Sequence, residues 1–330
     1  MAADLNHVIP EKIREILKEH YEKFVPTSYS VVSEGGGRFS TRGILVHSIC
    51  NENDRCLSIV EKRLFHRPIF SGTSAEEFFY KNILNVWPSA QKYCPKILKI
   101  ERSFLGSSIF MSKEGRRSVN LYRDYLKIVS IVKVMQADAP DLSCFGSFDY
   151  FSAPASRRYR GNYRQYIRKI IKGPLLTAPE SFNSQKIIAM LDGMSRLCQD
   201  MPRVPSHLDL LQKNIRFKKP KFTLIDWGEF SFAPIGFEYG GLLSSLFRLG
   251  VIEDYKAIQI KFMEQFRANR LKSGSYKQDL VSLRYFYFIS CLSFIYVKLN
   301  RVQDLSQQQF EILRDKAQYL MDEIQTAAGR

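Results

Sequence analysis

One stretch of the chain narrows its options more than any other. Ser206-His207-Leu208-Asp209-Leu210-Leu211-Gln212-Lys213-Asn214 is followed, after a short basic turn, by Phe222-Thr223-Leu224-Ile225-Asp226-Trp227. The pattern is H-x-D-x-x-x-x-N, then a hydrophobic strand that ends in aspartate. Transfer of a phosphoryl group to a hydroxyl needs one carboxylate to orient the acceptor and take its proton. It also needs an amide oxygen and a second carboxylate to hold magnesium against nucleotide phosphates. Asp209, Asn214 and Asp226 are the right residue types in the right order. The spacing lets Asp209 and Asn214 sit at opposite ends of one loop. A strand turning back across Lys218-Lys219-Pro220-Lys221 then brings in Asp226.

The rest of the chain has to be able to carry such a loop. At 330 residues it exceeds what one hydrophobic core usually supports, so two domains are expected. Apolar periodicity predicts a first helix from Pro10 to Phe24, with Ile13, Ile16, Leu17, Tyr21 and Phe24 on one face. Extended segments broken by glycine follow: 30–33, the turn Gly35-Gly36-Gly37, 43–49 and 56–64. A helix from Thr73 to Leu84, with Ser74 as its cap, precedes strands at 96–100 and 107–112. Beyond 115 the pattern turns helical, at 121–137, 184–198 and a tail opened by the capping box Ser306 and Gln309. The fold class is therefore α+β, with a small strand-rich lobe at 1–114 and a larger helical lobe at 115–330. A basic, irregular insert occupies about 138–182 of the second lobe.

The loop and the Ile225-Asp226-Trp227 segment resemble those of the aminoglycoside phosphotransferase and choline kinase superfamily, whose fold is protein-kinase-like. The resemblance covers roughly residues 30–250. It implies that Asp209 is the catalytic base and that Asn214 and Asp226 bind magnesium. Leu208 stands where the family commonly has glycine and Leu211 where it has histidine, while Glu238 takes the place of an aspartate that supports the loop. His207 reads as a structural anchor of the loop. In the first lobe the resemblance assigns nucleotide binding to Gly35, Gly36, Gly37 and Lys62. Glu76 pairs with that lysine, in preference to Glu77 because aromatic residues follow it three and four positions on. Met111, Ser112 and Lys113 would border the adenine. The implied cofactors are ATP or GTP, and Mg2+.

Composition excludes some classes and leaves others open. Hydrophobic residues at 45% give ample material for cores, which argues against disorder. The apolar run 285–297 is shorter than the ~20 residues of a membrane span and is expected to be a buried core helix. The start of the chain has no signal-peptide pattern, and six scattered cysteines without metal spacing suggest free thiols in a cytoplasmic protein.

The net charge of +16 admits phosphate-bearing ligands, nucleic acid or an anionic membrane surface. Residues 151–179 hold seven basic side chains and no acidic one, with tyrosines interleaved. Arg157, Arg160, Tyr163 and Arg164 are the candidate acceptor contacts, and their sign disfavours a polycationic acceptor such as an aminoglycoside. A sugar or other small alcohol is expected as acceptor, including one already anionic, such as a glycolipid head group. The alternatives are a regulatory pseudokinase and a protein-directed kinase. The nine residues from Gly228 to Gly236 are short for the activation segment that a protein-directed kinase needs.

Overall fold

The computed structural model describes residues 8–34, 41–65, 74–103, 106–115, 117–140, 148–152, 162–269 and 275–329. The chain forms two compact units: Met1–Ser118 with Arg216–Gly228, and Val119–Ile215 with Glu229–Arg330. The first unit therefore runs past residue 114 and takes in the segment 216–228 as well. It is built on an antiparallel five-stranded sheet, and the second unit is mostly helical.

In the first unit, helix α1 (Glu11–His20) precedes strands β1 (Ser28–Ser33), β2 (Thr41–Cys50) and β3 (Cys56–Phe65). Helices α2 (Ala75–Phe78) and α3 (Pro88–Tyr93) lead to β4 (Ile97–Ser103) and β5 (Gly106–Ser112). The sheet order is β1-β2-β3-β5-β4. Ile13, Ile16 and Leu17 of α1 pack in one cluster with Ile49, Ile59, Leu98 and Phe110 of the sheet. Each such burial stabilises by about 1.5–3 kcal/mol before chain entropy is counted. The helix stops at His20, short of the expected Phe24, because Tyr21 leaves helical backbone angles (φ −141°, ψ 43°).

Ser74 caps α2 by accepting from Glu77 N at 3.1 Å, as its sequence position implies. The expected single helix passes after Phe78 into a π turn, Phe79–Ile83, whose wider winding turns Phe79, Tyr80 and Ile83 all inwards. Cys50 and Cys56, directly opposite across β2 and β3, are joined by a disulfide. That corrects the expectation of free thiols at these two positions; Cys94, Cys198 and Cys291 are free and buried. Strand β6 (Arg117–Ser118) pairs with β8 (Ile215–Lys218), which turns back into β9 (Lys221–Leu224).

The second unit contains α4 (Leu121–Ala137), α5 (Tyr163–Lys172) and α6 (Ser184–Gln199), then β7 (Arg203–Ser206) paired with β10 (Ser231–Pro234). Helices α7 (Ile235–Arg248), α8 (Ile252–Asn269), α9 (Tyr276–Leu299) and α10 (Gln307–Gly329) complete it. Helix α9 has 24 residues, longer than its apolar run implied and long enough by length and composition to cross a membrane. Its side chains are instead largely buried in the unit, and α7 packs on it with little separation. A Cβ on Gly236 would lie 2.4 Å from Asp279 O, and one on Gly240 2.4 Å from Leu283 O. Two glycines one helical turn apart thus let the backbones approach. The tail helix opens with the reciprocal Ser306 and Gln309 cap expected from sequence.

Candidate active site

In the first unit, the alternation of β3 sends Glu61 and Lys62 to opposite faces of the sheet. Glu61 is pinned by His47 at 3.1 Å, Arg63 at 2.6 Å and Ser108 at 3.2 Å. Burial would raise its carboxyl, but the hydrogen bonds from His47 and Arg63 bring it down to about 2, so it stays ionised. Lys62 on the other face reaches Glu76 of α2 at 2.5 Å and Asp226, just past β9, at 2.6 Å.

Lys62 and Glu76 are almost fully buried, whereas the Asp226 side chain remains 37% exposed. Burial opposes the lysine charge, yet the two carboxylates outweigh it and hold the ammonium above its ordinary range. The Glu76 carboxyl is pushed up by burial and by Asp226, and pulled back by Lys62 and by a backbone bond from Trp227. Trp227 is fully buried and stacks on Phe79 with ring centroids 3.7 Å apart, while Trp87 meets it edge-on at 6.2 Å. The aromatic pair fixes the helix that carries Glu76 to the segment that carries Asp226. Asp226 itself has φ +66°, a left-handed conformation that aspartate tolerates better than most residues.

The second unit holds the loop that follows β7. Asn214 donates from Nδ2 to Asp209 O at 2.8 Å and to Asp209 Oδ2 at 2.9 Å, so the two residues five apart do meet. Asp209 N donates to His207 Nδ1 at 3.3 Å, and His207 is 2% exposed. Glu238, in the first turn of α7, accepts from His207 N at 2.7 Å and Leu208 N at 3.0 Å, both on Oε2.

Two successive N–H groups converge on one oxygen only if the backbone between them bends into a concave nest. The torsions of His207, which lies between the two amides, set that bend, and Leu208, at φ +62°, turns the chain directly after it. This is a conformation that costs a non-glycine residue about 1–3 kcal/mol, and the burial of the leucine side chain offsets it. The carboxyl of Glu238 is pushed up to about 7 by burial, with Asp209 adding to the rise and the two amides opposing it.

Other expected residues are distributed unevenly. Gly35, Gly36, Gly37, Arg157 and Arg160 lie outside the described residues. Met111 is buried on β5, in register with Val60 and Ile97. The N–H groups of Ser112 and Lys113 are taken within the sheet, by Lys96 O at 2.9 Å and Ser58 O at 3.0 Å. Tyr163 turns inwards and donates to Asp192, and Arg164 reaches the same carboxylate at 2.6 Å from the exposed face. Neither Asp192 nor the stacking of Phe79 on Trp227 was read from sequence. The first is a lone acidic residue in another helix, and the aromatic that follows Glu76 three positions on was the only trace of the second.

No protein-family model matches the sequence, and no curated protein matches it. Solved structures do match over nearly the whole chain. The amicoumacin kinase hAmiN, solved with AMP-PNP, Ca2+ and Ami, is 10% identical, covers 98% of this chain and 96% of its own, and has a TM-score of 0.57. A thermostable mutant of aminoglycoside phosphotransferase APH(4)-Ia, solved with AMP-PNP and hygromycin B, is 16% identical over 95% and 98%, with a TM-score of 0.52. Choline kinase from Cryptosporidium parvum Iowa II is 13% identical over 97% and 95%, with a TM-score of 0.51. The fold is thus that of the aminoglycoside phosphotransferases and choline kinases.

Proposed function

We propose that this chain, which has the fold of aminoglycoside phosphotransferases and choline kinases, is an ATP-dependent kinase that phosphorylates a hydroxyl of a small molecule. The observation that carries the reading is the buried pair of Lys62 with Glu76, closed by Asp226 at 2.6 Å. A buried lysine held charged between two carboxylates is costly to maintain. It fits a cation kept in place to meet nucleotide phosphates. The second unit adds a carboxylate, Asp209, oriented by Asn214 and by the Glu238 anchor, which supports a role as the base that takes the acceptor's proton.

The donor chemistry also suits a divalent ion. Asn214 and Asp226 offer the amide and carboxylate oxygens that magnesium prefers, and Asp226 keeps a partly exposed carboxylate while bound to Lys62. No cluster of three His, Cys, Asp or Glu side chains is disposed to hold a metal among the described residues. When bound, magnesium would neutralise charge on the phosphate oxygens. Lys62 would meet the α- and β-phosphates, and Asp209 would orient the acceptor hydroxyl and accept its proton. A sugar or other alcohol without a high positive charge suits the chain's own charge of +16.

The test is ATP consumption across a library of alcohols and sugars with magnesium present and Asp209→Asn as the control. Turnover with at least one acceptor, lost in the variant, supports the proposal. Absence of both nucleotide binding and turnover overturns it.

A further inference from the structure

We propose that the outer face of α5 is a binding site for a small, soluble ligand carrying several phosphate charges. Asn162, Arg164, Gln165, Arg168, Lys169 and Lys172 line a shallow, solvent-open concavity of about 470 Å³ there. Every one of these side chains carries a nitrogen donor, and none is a carboxylate.

Arg164, Arg168 and Lys172 recur every four residues and so form one row, with roughly 6 Å of helix rise between neighbours. Arg164 is steadied by Asp192 at 2.6 Å. Lys169 is steadied by neutral partners, Asn300 and the ring of Tyr296 at 5.4 Å. Neither Arg168 nor Lys172 belongs to an ion pair among the described residues. Three cations therefore share one carboxylate along a single row, which leaves an uncompensated positive field where guanidinium groups can engage phosphate through paired hydrogen bonds.

The other side of the helix selects among anionic partners. Tyr163, Tyr166, Ile167 and Ile170 are buried, with Tyr166 packed on Tyr296 at 4.6 Å. Ile171 is half-buried, so the exposed face offers no fully exposed large apolar side chain to sink into a lipid surface and no free aromatic ring on which a base could stack. What remains is charge and donors in a small concavity, which suits a compact polyanion. The site does not depend on the phosphotransferase reading, because its binding can be measured without nucleotide.

Titration calorimetry of the full chain with inorganic pyrophosphate and with tripolyphosphate, in EDTA and without nucleotide, tests the site. Saturable binding that weakens with added salt is expected. Arg168→Glu/Lys172→Glu should lower affinity about tenfold or more. Lys261→Glu/Lys277→Glu changes net charge equally at exposed positions of α8 and α9, and should leave affinity unchanged. Equal losses in both pairs, or no loss in the first, overturn the proposal. It also falls if the α5 substitutions abolish tighter binding to phosphatidylglycerol vesicles, to a uridine oligonucleotide or to a glutamate-rich peptide.

Discussion

The two units hold their key carboxylates by different physical means. In the first, Asp226 and Glu76 are held by charge, through a lysine that stands 164 residues away from Asp226 in sequence. In the second, Asp209 is held by backbone geometry: Glu238 grips two consecutive amides, Leu208 takes the bend, and Asn214 fixes the carboxylate. The contrast teaches where each can fail. The first fails when one charge is removed and the others stay buried, and the second when the shape of a few residues relaxes.

The sharpest test removes the proposed base and leaves both frameworks standing. Asp209→Asn should lower kcat by about 10²–10⁴-fold with nucleotide affinity retained, read from steady-state kinetics and nucleotide titration. Breaking the charge framework comes next. Lys62→Met leaves Glu76 buried without its counter-charge and should destabilise by about 3–5 kcal/mol in urea unfolding. Adding Glu76→Gln should recover most of that loss. If it does not, charge is not what holds the first unit's site.

The backbone framework predicts a pH signature in Glu238. Its folded value of about 7 lies above the ordinary 4.5. The stability contributed by the neutral carboxyl is therefore full below about 4.5 and lost as pH rises through about 7. Glu238→Gln keeps an acceptor oxygen but cannot ionise. It should gain on the parent by up to about 3 kcal/mol between pH 4.5 and 8, measured as the difference in unfolding free energy.

The smallest effect concerns Leu208. Leu208→Ala keeps the left-handed strain and loses the burial, whereas Leu208→Gly loses the burial and relieves the strain. The alanine variant should be the less stable by about 1 kcal/mol in thermal unfolding. Equal stabilities would mean that the bend carries no strain.

The same contrast explains what could be read in advance. Asp209 and Asn214 are legible because the groups that must meet lie within one short loop. Lys62 and Glu76 are legible only through the order of strand and helix, since nothing local ties a lysine on β3 to a glutamate on α2. The bend at Leu208 was not legible, because leucine rarely takes that conformation and the carboxylate that accepts from its N–H, Glu238, lies 30 residues on. The helix at Ala75–Phe78 was legible from its cap, but its change to a π turn depends on packing that sequence periodicity does not record. The disulfide was missed because Cys50 and Cys56 become neighbours only once β2 and β3 pair in register.

The grouping of 216–228 with the first unit has a consequence for biosynthesis. The nascent chain completes residue 118 long before it reaches the segment that finishes that unit. At about 5–20 residues per second, the intervening ~110 residues take on the order of 5–20 s to be made. During that interval Phe79 and Trp87 await the indole that will cover them, and Lys62 and Glu76 await their third charge. The emerging sheet is an unfinished body with exposed aromatic surface, a form that chaperones recognise and that aggregates when it is crowded with copies of itself. Gly228 marks the earliest point on the ribosome at which it can close.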